Sequence, residues 1–184
     1  MKSVRLSIVI AFTLIPLSAA HSAVLTLGGP LSHLCYQSAL AADGRSAALE
    51  GCTRALEEEA LATPDRAATY VNRGIVLMSG GRLSSADADF DTALRLDRNL
   101  PDGWLNKGFL QLRQGHGREA LPLIQRGIDS GAANRALAIF ARGVAREQMG
   151  ELSLAYADLK TAQQLAPKWE LPREYLANYR VNPR

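Results

Sequence analysis

Three stretches of the chain carry the same order of large, small and polar positions. Gly74, Gly108 and Gly143 stand 34 and 35 residues apart, and Ala86, Ala120 and Ala155 recur at the same two intervals, as do Ala93, Gly127 and Ala162. Each glycine follows a large apolar residue, Tyr70, Trp104 or Ile139, by four positions, which places the pair on one face of a helix. Each alanine precedes Phe90, Ile124 or Leu159 by the same four positions, forming a second apolar stripe. The pattern predicts an antiparallel helical hairpin repeated three times. Its small residues let two helices approach closely, and its large ones fill the space between turns.

The punctuation agrees with that reading. Gly80-Gly81, Gly115-His116-Gly117 and Gly150 fall between the two stripes, where a helix ends in a left-handed residue. Ser84 or Ser85 is positioned to cap the helix that follows. Thr63-Pro64-Asp65 and Asn99-Leu100-Pro101-Asp102 read as helix starts, with proline in the first turn and an acid at the positive end of the helix dipole. Pro167 closes the third unit. Pro122 falls inside a helix and is expected to bend it or shift its start.

These residues resemble the tetratricopeptide repeat, whose pattern is W-x2-L-G-x2-Y, then A-x3-F-x2-A, then P. The fullest match runs from Ala136 to Trp169, with Gly143, Gly150, Ala155, Tyr156, Leu159, Ala162, Leu165 and Pro167 in place. Arg73, Lys107 and Arg142 stand where the family has leucine, Arg98 replaces the first unit's proline, and Gly127 weakens the second unit. The resemblance implies an all-α, right-handed superhelix of hairpins, with units at 67–100, 101–135 and 136–169. Ala48, Cys52 and Ala55 repeat the second-helix stripe, so 33–66 reads as a degenerate fourth hairpin, with an extra helical turn through Glu57-Glu58-Glu59 and that acid run as a solvated face. Residues 170–184 read as a terminal capping helix and 21–32 as an irregular arm.

The first residues change the picture of where the chain works. Lys2 and Arg5 precede an apolar run from Leu6 to Leu17 and then small residues, the form of a secretory signal covering 1–20, with cleavage after Ala20 or, alternatively, after Ser22. The run is too short to cross a bilayer, and no cysteine follows the leader directly to carry a lipid. An exported, bacterial periplasmic protein is expected. In that compartment Cys35 and Cys52, 17 residues apart around an Asp43-Gly44 turn, are expected to pair as a disulfide; the other reading is two small buried apolar residues.

Composition narrows function mainly by exclusion. The chain has 184 residues, 47% apolar and 6% aromatic, which suits a close-packed helical domain. Without the leader's two cations, 19 basic residues nearly balance 18 acids, so charge gives no argument for nucleic acid. No phosphate loop, zinc-binding His pair or nucleophile elbow occurs, Gly115-His116-Gly117 sits where the repeat needs a turn, and Asp87 with Asp91 reads as an exposed helix face. No catalytic residue, metal, cofactor or small-molecule substrate is expected.

What remains is surface. In the family the first helix of each hairpin lines a concave groove, and the resemblance carries that role to Val71, Asn72, Ile75 and Met78, to Leu105, Asn106, Phe109, Leu112 and Arg113, and to Phe140, Val144, Glu147 and Gln148. Asn72 and Asn106 match members that clamp a C-terminal carboxylate; the lysines of that clamp are missing. An apolar groove bordered by two asparagines suits an extended or helical peptide, making a protein partner the expectation. Self-association, or internal filling by the arm from Val24 to Leu31 or by the next hairpin, are the other ways to satisfy such a stripe. Arg73, Lys107 and Arg142 form a possible basic line unless neighbouring acids pair with them.

Overall fold

The computed structural model describes residues 6–8, 21–26 and 28–181; the rest of the expected leader lies outside the described residues. Among the described residues nine helices follow one another: α1 (Pro30–Leu40), α2 (Ser46–Glu58), α3 (Thr63–Ser79), α4 (Leu83–Leu96), α5 (Pro101–Arg113), α6 (Gly117–Asp129), α7 (Arg135–Gln148), α8 (Leu152–Leu165) and α9 (Glu170–Leu176). They pack as the hairpins α1/α2, α3/α4, α5/α6 and α7/α8, each stacked on the next, with α9 on α8. A short strand, β1 (Leu6–Ile8), runs antiparallel to β2 (Tyr179–Val181), with Ser7 opposite Arg180.

The repeated columns are the packing. Phe90, Ile124 and Leu159 are buried, and a side chain on Gly74 would fall on the Phe90 ring, while a Cβ on Gly108 would lie 2.5 Å from Ile124 Cγ1. Ala86, Ala120 and Ala155 have no exposed surface at all, since each sits where two helices touch. One apolar cluster is built on Ile75, Val76 and Phe90, a second on Phe109, Ile124, Phe140 and Leu159.

The turns repeat as closely as the core. Gly81, Gly115 and Gly150, again 34 and 35 residues apart, take φ of 77°, 79° and 77°. After each, the next amide bonds to the carbonyl five residues back, Arg82 to Leu77, His116 to Gln111 and Glu151 to Arg146. Ala42 holds the same place after α1 with φ 50°, a conformation an alanine adopts only under strain.

Several local expectations are corrected. Ser84 and Ser85 lie inside α4, whose N-cap is Arg82 and which has no side-chain cap. Pro122 lies inside α6 and does not shift its start, which falls two residues after Gly115 as that of α4 does after Gly81. The extra turn belongs to the N-terminus of α3, 17 residues long, because α2 already ends at Glu58. Glu59 is more than a solvated acid, since its carboxylate accepts from the amides of Leu31 (2.7 Å) and Ser32 (3.0 Å) and so caps α1.

Cys35 and Cys52 form a disulfide, with Cα atoms 4.7 Å apart, which ties α1 to α2. Among the described residues no helix is long and apolar enough to cross a membrane.

Candidate functional site

The first helices of the hairpins line one side of the stack, and most of the residues expected to form an open apolar groove there are buried. Val71, Ile75, Leu105, Phe109 and Phe140 are at most 1% exposed, and Met78, Leu112 and Val144 are buried with them. They pack into the two core clusters, with Ala23 and Val24 of the arm lying against the one that holds Val71, Ile75 and Met78. The stripe's two amides do something else.

Asn72 on α3 and Asn106 on α5, one repeat apart, both grip the arm before α1. Asn72 accepts from the Val24 amide (2.8 Å) and donates to the Val24 carbonyl (2.7 Å). Asn106 accepts from the Ser22 amide (3.2 Å) and donates to the Ser22 carbonyl (2.8 Å). In extended chain, alternate residues turn N–H and C=O to the same edge and lie about 7 Å apart. Two side-chain amides one repeat apart thus treat residues 22 and 24 as a partner strand would, reading backbone rather than side chains.

The rest of the arm supports that position. The Ser22 hydroxyl donates to the Asp102 carboxylate in the first turn of α5. Burial pushes the Asp102 carboxyl above the usual range, and the Ser22 bond offsets only part of that. His21 lies against the Ala39 and Leu40 carbonyls at the end of α1; burial holds its imidazole below the ordinary value despite those acceptors. Thr26 is buried, whereas Leu25 is 58% exposed. Sequence reasoning allowed the arm as cover but did not find Ser22 or Asp102 as the residues involved, and residues 21–26 carry no polar–apolar alternation that would have pointed to them.

At the other end the stripe is closed by the C-terminal elements. Trp169 and Tyr175 both pack edge-on against Phe140, with ring centroids at 5.0 Å. Burial raises the Glu147 carboxyl, tempered by the Tyr179 hydroxyl that faces it, and burial with the nearby Glu147 charge pushes Tyr175 up to about 12. Arg113 and Gln148 make structural bonds to the first helix of the preceding hairpin, Arg113 to the Met78 carbonyl and Gln148 to the Leu112 carbonyl.

The possible basic line is neutralised. Arg73 forms a two-pronged pair with Asp89 (2.7 and 2.8 Å), and Arg142 does the same with Asp158 (2.9 and 2.8 Å). The repeat places Leu123 at the equivalent position of the middle hairpin, so Lys107 turns back to Asp87 and Asp91 on α4. Those two acids, read as an exposed face, therefore hold a cation. Among the described residues no group of three or more His, Cys, Asp or Glu side chains could hold a metal ion.

No family model matches the chain, and no curated protein matches it. Solved structures do. The MamA RS-1 ArsTM double mutant superposes with a TM-score of 0.60 at 22% identity, over 80% of this chain and 82% of that one. MamA residues 41 to the end from Desulfovibrio magneticus RS-1 gives 0.59 at 21% identity, with the same coverage. At such identities the likeness is one of fold: this chain is an all-α, tetratricopeptide-like solenoid of helical hairpins.

Proposed function

We propose that the protein is an exported, non-catalytic adaptor of the cell envelope that holds an extended segment of a protein partner along the line of its first helices. The observation that carries this reading is the pair Asn72 and Asn106, each using both halves of its amide on the backbone of an alternate residue. Affinity in such a site comes from main-chain hydrogen bonds, as in strand addition at a sheet edge, and tolerates varied side chains. The burial of Phe109 and Phe140 moves the expected binding energy away from an apolar trough and onto this polar strip.

A second reading has an observation of its own. The strip is already filled by residues 21–26, and the third repeat is covered by Trp169 and Tyr175. A permanently filled groove suits a structural subunit of an envelope complex or a homo-oligomer.

The two are separated by affinity capture from envelope extract with the wild type beside an Asn72→Ala, Asn106→Ala variant of native helicity. A partner retained by the first and lost by the second, then identified and reproduced as a synthetic segment, is the adaptor outcome. Capture of nothing by either bait, with a mass that rises with concentration, is the structural one.

A further inference from the structure

We propose that the arm from His21 to Thr26 is an internal stand-in for the partner segment, so that the groove takes an extended peptide only when the arm leaves. The proposal rests on the peptide-holding reading above and specifies what is held: an extended segment with a hydroxyl side chain two residues before a branched apolar one.

Three observations support it. The hydrogen bonds of Ser22 and Val24 run to side chains of α3 and α5, namely Asn72, Asn106 and Asp102. A backbone that meets the fold through side-chain amides makes the same bonds whichever chain supplies it, so any extended segment able to present a hydroxyl to Asp102 satisfies the same groups. Second, departure of the arm leaves α1 in place. Glu59 caps the α1 amides of Leu31 and Ser32, and the Cys35–Cys52 disulfide fastens that helix to α2, both on the far side of Gly28 and Gly29. The structure thus separates a docked segment from an anchored helix at a pair of glycines.

Third, the arm leaves its largest described apolar side chain outside the stack. Leu25, its largest apolar residue among those described, is 58% exposed rather than sunk into the stack, and Val24 is only partly buried. A segment built to complete a core turns its apolar residues inward. This one turns backbone, the Ser22 hydroxyl and the smaller Ala23 and Val24 side chains inward and leaves leucine outside, which suits a contact that is made and broken.

The test uses the intact chain and a fluorescein-labelled peptide, His-Ser-Ala-Val-Leu-Thr, followed by anisotropy. Ser22→Pro with Val24→Pro removes the two backbone donors that Asn106 and Asn72 accept, and folding is checked by helicity. This variant is expected to bind the peptide at least tenfold more tightly than the wild type does. Adding Asn72→Ala and Asn106→Ala is expected to abolish the binding. Amide exchange gives a readout without substitution: excess peptide should speed exchange at Ser22 and Val24 of the wild type while α1 stays protected.

Equal peptide binding by wild type and the proline variant overturns the proposal. So does a natively helical proline variant that binds no peptide, or arm exchange indifferent to excess peptide. A partner captured equally by both through Asn72 and Asn106 removes the stand-in and leaves the adaptor standing. Peptide binding as expected with no envelope partner keeps the stand-in and removes the adaptor.

Discussion

Arg113 reaches back over one full repeat and donates to the carbonyl of Met78 at 2.7 Å, an oxygen that also receives the Gly81 amide behind the turn. One period on, Gln148 does the same to Leu112, whose carbonyl takes the Gly115 amide. A carbonyl in the last turn of α3, and again of α5, thus takes a bond from the following repeat, which makes the contact a rivet between hairpins. Arg113→Ala is expected to lower stability by about 1 kcal/mol, the scale of a partly exposed hydrogen bond to a charged group. Chemical denaturation checks this, and unchanged unfolding would show that water replaces the guanidinium without loss.

Reduction of the disulfide should act locally. A bridge closing a loop of this size contributes roughly 3 kcal/mol by restricting the unfolded chain, and in a solenoid that effect stays with the repeat concerned and its neighbour. Reductant should therefore speed amide exchange in α1 and α2 and leave α7 and α8 protected. Thiol labelling of the unfolded exported protein should find no free cysteine before reduction; two reactive thiols would show that the pair does not form.

The glycine columns predict opposite signs at two positions. Gly108→Leu drives a side chain into Ile124 and should cost roughly 1–3 kcal/mol through overpacking. Ala42→Gly should stabilise by up to about 1 kcal/mol, because the relief of a left-handed alanine exceeds the added freedom of the unfolded chain. Melting temperatures of the two variants should move apart from the wild type in opposite directions.

Alkaline titration reports on α9. The Tyr175 phenol is pushed from 10.0 up to about 12 by burial and by the Glu147 charge, so folding favours its neutral form. That contribution is whole below pH 10 and is lost as pH rises through the raised value. Phenolate absorbance at 295 nm should therefore have a late component near pH 12 that shrinks in Tyr175→Phe. Release of α9 from Phe140 should accompany it.

What the sequence made legible was whatever recurs. Gly74, Gly108 and Gly143 were found because each meets an equivalent large residue, and equivalent contacts leave equivalent residues at a fixed period. Asn72 and Asn106 were found through the family pattern, and their hold on the arm follows from amide chemistry. Contacts made once leave no period. The closure of Phe140 by Trp169 and Tyr175, the Glu59 cap and the hold of Asp102 on Ser22 each join segments whose spacing has no second example in the chain. The apolar residues expected to line a groove do lie on α3, α5 and α7, but helix spacing alone does not distinguish a face turned to a ligand from one turned to the next hairpin.

The backward reach of Lys107 gives the array a direction. In a tandem duplicate of the middle hairpin, the second lysine would look for acids at the positions that follow Asp87 and Asp91 by one period, and would find Leu121 and Gln125. Arg142 already reaches that same Gln125, at 3.0 Å, and has Asp158 to neutralise it as well. The middle unit has no acid of its own to offer at Leu123, so it is complete only behind the unit that precedes it. The order of the hairpins is therefore written in charge, and shuffling them would yield helices of the right shape with a cation stranded at the seam.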